Sequence, residues 1–312
     1  MTNAFLAALD RAQPLILDGG LATQLEAQGC DLGNALWSAS LLIENPQAIV
    51  DANRAFLDAG AECIASASYQ ASRAGFAQRG LSADEADALI LRSVELAMRS
   101  RDEFVAATAP DFVPLVAASI GPYGAVLHDG SEYRGDYNKP VAELRRFHEA
   151  RLRLFDNSGA DVLAFETVPS LPEAEAIADL LSDCTTPAWV SFSCKDDKHI
   201  SDGSLVETAV ALFRDHPVVA ATGINCTPPQ FATALIDKVC NAVPDKAVIA
   251  YPNSGEIYDA ERNAWSGTVT PLDYAAAARD WQAAGAKIIG GCCRTGPAHI
   301  AAMRAALLSG CS

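Results

Sequence analysis

The sequence predicts an α/β protein folded as a single (β/α)8 barrel over residues 1–312. Three observations predict it. Short apolar runs rich in β-branched residues alternate with longer Ala- and Leu-rich stretches of helical period, and the alternation occurs eight times. Helices repeatedly stop at a Gly-Ala pair just before the next strand, as in DAGAECI, NSGADVL and AAGAKII. Four of the runs (CIASAS, VPLVAAS, VVAATGIN and KAVIAY) are continuously apolar or small, as parallel strands covered on both faces should be. Eight units in 312 residues is 39 residues each, and neither a linker nor a low-complexity stretch divides the chain. A closed barrel is favoured over an open doubly wound sheet.

Taken in order, the first strand is Leu15-Ile16-Leu17, ending at Asp18-Gly19-Gly20. Pro46 opens a helix that Gly60 closes, since Pro suits the first helical turn and Gly the stop. CIASAS (63–68) precedes a long helix from about Ala83 to Glu103. VPLVAAS (113–119) leads to Gly121-Pro122, and a helix covers 140–158. DVLAFE (161–166) precedes the helix PEAEAIADLL, and AWVSFS (188–193) one near 204–214. VVAATGIN (218–225) precedes a helix from Pro229, KAVIAY (246–251) one near 271–284, and KIIGG (287–291) a last helix at 297–308. The connections 119–139 and 252–270 are long for βα loops, and long loops in compact domains are often functional.

Composition narrows the function. With 23 Lys and Arg against 39 Asp and Glu the net charge is −16. That excludes general nucleic-acid binding, which needs a cationic surplus, and argues against an anionic membrane surface as partner. No apolar run is long enough to span a bilayer, and the start MTNAFLAALDRAQP lacks a basic leader, so a cytoplasmic location is expected. Nine scattered cysteines, an odd number with two adjacent, do not suit a disulfide framework in a chain this long; they are expected to be reduced. Oligomeric state is not legible.

In a βα barrel the reactive groups stand at the C-terminal ends of the strands. The residues there are Asp18, Gly19 and Gly20 after strand one, Tyr69 and Gln70 after strand two, and Ser119, Gly121 and Tyr123 after strand three. Glu166 and Thr167 follow strand four, Cys194 strand five, Asn225 and Cys226 strand six, Pro252 and Asn253 strand seven, and Cys292, Cys293 and Arg294 strand eight. Four cysteines thus share one rim, while Cys30, Cys63, Cys184, Cys240 and Cys311 read as structural. Two adjacent thiols behind Gly290-Gly291 can turn toward one point, and converging thiolates suit a soft cation. Three such ligands leave zinc an open, catalytic position; a fourth from Cys194 would close it, and spacing alone leaves the choice open. The five histidines do not cluster and read as ordinary helix and loop residues.

The segments LDGGLATQLE (17–26), FET (165–167), GINC (223–226), YPNSGE (251–256) and GGCCRTGPAHI (290–300) resemble the homocysteine S-methyltransferase family, in the expected order and from about Pro14 to Ala306. The resemblance implies a (β/α)8 barrel, in agreement with the count above. It implies that Cys226, Cys292 and Cys293 bind Zn2+, that homocysteine sulfur takes the fourth position, and that Cys194 is not a ligand. Asn253 sits where a protein group would come from to fill that position without substrate. Asp18 and Glu166 look like the carboxylates that recognise the substrate ammonium, and backbone N–H groups around Gly19 and Gly20 are placed to cradle its carboxylate. LWSASLL-like and SYQAS-like segments in a barrel-sized chain imply S-methylmethionine as methyl donor, with S-adenosylmethionine, betaine or a selenol acceptor as variants. Trp37 and Tyr69 are the candidate aromatic wall for a sulfonium donor. Two readings of other classes are a non-catalytic barrel that binds zinc through four cysteines and a hydrolase in which zinc activates water.

Overall fold

In a computed structural model, the residues described are 3–32, 40–127, 129–255, 257–259, 264–266 and 269–308. Eight parallel strands form one sheet: β1 (Leu15–Ile16), β2 (Cys63–Ala65), β3 (Leu115–Ile120), β4 (Val162–Val168), β5 (Ala188–Phe192), β6 (Val219–Asn225), β7 (Ala247–Tyr251) and β10 (Ala286–Ile289). From β2 to β10 each pairs with the next of these strands, and β1 pairs with β10, so the order runs around a ring. The remaining gap is closed by a parallel bridge between Leu17 and Cys63, where Asp18 N–H donates to Cys63 O at 3.0 Å and Glu62 N–H to Ile16 O at 2.7 Å. The expected (β/α)8 barrel is therefore the observed fold.

The side-chain alternation explains why the ring closes. Leu15, Leu17, Leu115, Ala117, Val162, Ala164, Trp189, Ala221, Ile249 and Ile288 fill the interior. The residues between them, such as Ile16, Val116, Ala118 and Leu163, pack under the surrounding helices. Alanines on three strands leave room inside for the two large rings of Trp189 and Tyr251, which meet edge-on at 6.4 Å. The N-terminal end is plugged by a helix that the sequence reading missed, Ala4–Leu9. Asn3 Oδ1 caps it by accepting from Phe5 N–H at 2.8 Å, and the fully buried Phe5 ring lies 5.8 Å from that of Trp189.

The helices follow the local signals. Asn45 caps Pro46–Asp58, and Ser82 with Glu85 forms a capping box on Ala83–Thr108. That helix outruns its expected end near Glu103 because no breaker intervenes before Ala109, which takes a left-handed φ of 44°. Gly60, Gly159 and Gly285, the glycines of the three repeated junctions, all have φ between 84° and 112°. The two long loops are not structureless. The first carries the short helices Tyr123–Leu127 and Ser131–Tyr133, and the second an antiparallel pair, β8 (Ile257–Asp259) with β9 (Ala264–Ser266). Short helices at Leu21–Ala27, Leu41–Glu44 and Arg73–Ala77 were also not foreseen, being too brief to establish a period. Among the described residues no helix is long and apolar enough to cross a membrane.

Candidate active site

The C-terminal rim gathers the predicted residues. The Sγ atoms of Cys226, Cys292 and Cys293 lie within 4.8 Å of one another, with Cys226 and Cys293 3.4 Å apart. Cys226 is the first residue after β6 and has φ 48°; its N–H still donates to Tyr251 O at 3.2 Å. Cys292 and Cys293 leave β10 on a loop fixed from three sides. Cys292 N–H donates to Pro252 O at 2.9 Å, Ser254 N–H to Cys293 O at 3.1 Å, and Gly291 N–H to Asp18 O at 2.9 Å. The three thiols form a candidate metal site. Hydrogen bonds from Cys226 and Cys292 hold the Cys293 thiol well below its ordinary value. Hydrogen bonding to Cys226 and Cys293, then burial, pushes Cys292 up. Sharing one cavity, the three sulfurs favour a cation that relieves their repulsion.

Two carboxylates face the same mouth. Asp18 is buried, accepts from Ala65 N–H at 2.7 Å, and is pushed up to about 8 chiefly by burial, with the charge of Glu166 adding. Glu166 accepts from Ser119 Oγ–H, and from Tyr251 O–H at 3.0 Å. Burial raises its pKa in spite of those two donors. The Tyr251 hydroxyl is itself fixed, 2.6 Å from Ser191 Oγ and accepting from Trp189 Nε1–H at 3.2 Å. Glu166 points inward by the same alternation that places Val162 and Ala164 inside the barrel, and at its end the β4–β5 register breaks between Phe165 and Val168, where Thr167 has φ 62°. The break turns Val168, which strict alternation would put inside, out under the helices. Two desolvated acids that face one mouth make a receptor for a positive group.

The glycines bring the loops together. A Cβ on Gly19 would stand 2.5 Å from Thr295 O, and one on Gly20 2.7 Å from Cys292 O. Gly20 N–H donates to Thr295 O at 2.9 Å, which ties the loop after β1 to the cysteine loop.

Tyr69 follows β2, with its carbonyl accepting from Gly121 N–H at 3.1 Å. Its ring packs on Gly121, where a Cβ would stand 2.8 Å from ring carbons, and burial first, then the charge of Glu132, raises its hydroxyl well above the usual value. Asn253 N–H donates to Thr227 O at 3.1 Å, and its Oδ1 is buried with no hydrogen-bond partner. Trp37 and Cys311 lie outside the described residues. Cys194 is buried apart from the trio, its Sγ 3.9 Å from Phe192 O.

Sequence reasoning missed Tyr133. Its hydroxyl lies 3.5 Å from Cys226 Sγ and 3.9 Å from Cys293 Sγ. The neighbouring Glu132, pushed up to about 7 by burial, has a buried Oε2 without a hydrogen-bond partner. The one signal available was the length of the 119–139 connection; nothing local in GSEYRG marks a site residue.

Residues 15–307 match the family profile described as homocysteine S-methyltransferase. The chain is 47% identical to homocysteine S-methyltransferase YbgG of Bacillus subtilis, with 96% of each chain covered. It is 46% identical to the homocysteine S-methyltransferase of Escherichia coli, over 97% of this chain and 98% of that one. The crystal structure of the metallated form of the homocysteine methyltransferase MmuM from Escherichia coli superposes with a TM-score of 0.86 at 44% identity, covering 97% of this chain and 99% of the other.

Proposed function

Because this chain belongs to the homocysteine S-methyltransferase family and its reaction is methyl transfer to homocysteine, we propose that it works with zinc held by Cys226, Cys292 and Cys293 and takes its methyl group from S-methylmethionine. The observation that carries this reading is the convergence of three thiols, within 4.8 Å of one another, on a mouth that also holds Asp18 and Glu166. The donor set fits: sulfur ligands suit zinc, and three protein ligands leave a place for a substrate. Zinc bound there supplies a Lewis acid that keeps a substrate thiol deprotonated at neutral pH. That a metallated form of the Escherichia coli relative exists supports a metal in this chain as well.

The chain's own residues bind and orient. Asp18 and Glu166 take the homocysteine ammonium, whose charge returns both to the carboxylate form. Ser119 and Tyr251 hold Glu166 in one rotamer for that contact. Gly20 N–H is already taken by Thr295, so the substrate carboxylate falls to the N–H groups that open the helix Leu21–Ala27, which Gly20 precedes without a side-chain cap. Tyr69 supplies a ring face for a sulfonium, and Trp37, the other aromatic expected there, lies outside the described residues. The homocysteine sulfur attacks the methyl carbon, the bond from that carbon to the donor sulfur breaks, and the electron pair stays on the departing thioether. Two methionines result. Alignment of the three reacting atoms supplies much of the rate. Of the protein groups near the substrate position, Asn253 carries the unpartnered Oδ1 and Tyr133 already stands against the thiols.

The test is methionine formation from homocysteine by zinc-loaded protein with S-methylmethionine as sole methyl donor. Product that disappears on chelation and in Cys226→Ser is expected. No product with S-methylmethionine, but product with S-adenosylmethionine or betaine, would overturn the donor. Activity that survives chelation and full metal removal would overturn the metal.

A further inference from the structure

Behind the thiol site lies a fully buried polar cluster that the chemistry above does not use. It centres on Glu173, in the helix Leu171–Leu181, which has no exposed surface at all. Three donors converge on its carboxylate. Tyr123 N–H reaches Oε1 at 2.6 Å, Tyr137 O–H reaches Oε2, and His148 Nε2 lies 2.7 Å from Oε1. The tautomer of His148 follows from its other neighbour. Arg151 Nη2 donates to Nδ1 at 3.0 Å, and because a guanidinium has no acceptor, Nδ1 is the lone-pair nitrogen and Nε2 carries the proton. Arg151 Nη2 also donates to the Gly121 carbonyl. The negative Glu173 and positive Arg151 are thus joined through a neutral imidazole, and both grip the same stretch of backbone.

That stretch is the β3 connection carrying Tyr133. Tyr123 begins its first short helix and Tyr137 follows its second, so one carboxylate holds both ends. Between them the loop is seated at two further points. Ser193 Oγ–H donates to Glu132 O at 3.2 Å, and Gln70 Nε2–H to Ala125 O at 3.1 Å. These contacts fix the backbone, yet none acts on the Tyr133 side chain, which is partly exposed. The ends set its position.

We propose that Glu173 is a positioning residue, which fixes where Tyr133 stands against Cys226 and Cys293 by clamping Tyr123 and Tyr137. A carboxylate suits the task and an amide does not. Ionised, it presents two acceptor oxygens to three donors, whereas glutamine offers one oxygen and turns an NH2 group toward a donor. One end of the clamp is then released. The loop's displacement is felt at the thiols because misplacement of about 1 Å at a reacting centre costs on the order of 100-fold in rate.

The test reads the thiols directly and does not depend on the methyl donor. Full-length protein treated with a chelator is labelled with iodoacetamide, and each cysteine's rate is followed by peptide mass spectrometry. Glu173→Gln is expected to speed labelling of Cys226 on the order of tenfold, the scale of coupling within one network, with Cys240, on the remote helix Pro229–Ala242, unchanged. In a Tyr133→Ala background, which already uncovers Cys226, adding Glu173→Gln is expected to change nothing further. Should Glu173→Gln not fold, Tyr137→Phe cuts one end of the clamp and leaves the hydrogen bond between Glu173 and His148 intact, with the same expectations. Equal Cys226 rates in all variants would overturn the proposal. So would acceleration that persists undiminished in the Tyr133→Ala background, or that appears equally at Cys240, since both would mean general loosening.

Discussion

Asn225 holds Thr167 by two reciprocal hydrogen bonds: Thr167 N–H donates to Asn225 Oδ1 at 2.7 Å, and Asn225 Nδ2–H to Thr167 Oγ1 at 2.8 Å. The side chain of one strand end thereby replaces the ladder partner that the β4 bulge gives up. It keeps a β-branched residue at φ 62°, a conformation that costs on the order of 1–3 kcal/mol. Glu166 lies just before this residue and Cys226 just after Asn225, so a single carboxamide braces the backbone beside both the carboxylate and a thiol.

Asn225→Ala is therefore expected to weaken metal binding about 10- to 100-fold, the usual effect of losing a group that orients a ligand. It should also raise KM for homocysteine, because Thr167 relaxes and Glu166 turns. Competition with a chromophoric chelator and steady-state kinetics read the two effects. Unchanged metal affinity would show that Cys226 is aimed by its backbone alone.

Gly20 tests how closely the loops after β1 and β10 must approach. In Gly20→Ala the new Cβ would meet Cys292 O at 2.7 Å, a backbone atom that cannot swing aside. Overpacking of this kind costs about 1–3 kcal/mol. Thermal unfolding should show that loss, and metal content per chain should fall with it. Gly29→Ala, where nothing lies within 4 Å but φ is 86°, separates backbone strain from loop collision: it should lower Tm without touching the metal.

The pH dependence of stability is set in part by Asp18. Its carboxyl rises from 3.8 to about 8 in the folded chain, so the folded state holds the proton more tightly than the unfolded one. A raised acid pKa means that stability falls as pH climbs from about 4 to about 8 and is not regained above it. Asp18→Asn removes the penalty. Without substrate, the variant should melt with wild type near pH 4 and increasingly above it toward pH 8, while losing affinity for homocysteine. A gap that does not vary with pH would assign the change to packing.

Cys194→Ser separates a three-thiol site from a four-thiol one. Cys194 shares the rim but lies apart from the trio, against the Phe192 carbonyl. The variant is expected to bind one metal per chain with wild-type affinity, whereas Cys292→Ser should lose it. Loss of metal from both, measured by elemental analysis after dialysis, would revive the closed four-cysteine reading.

The barrel and the addresses of its chemistry are written in the order of the amino acids. Strand and helix periods are local, and a βα repeat converts each strand end into a place on one rim, so Asp18, Glu166, Cys226, Cys292 and Cys293 were legible as neighbours before any coordinates. What holds them there was decided by tertiary contacts. Tyr133 reaches Cys226 across 93 residues, Asn225 reaches Thr167 across 58, and Gly20 meets Thr295 across 275. No local period encodes such pairs. They arise where the closed ring brings loops of different units into contact, and hydrogen bonds and close approach choose among side chains that look alike in the sequence.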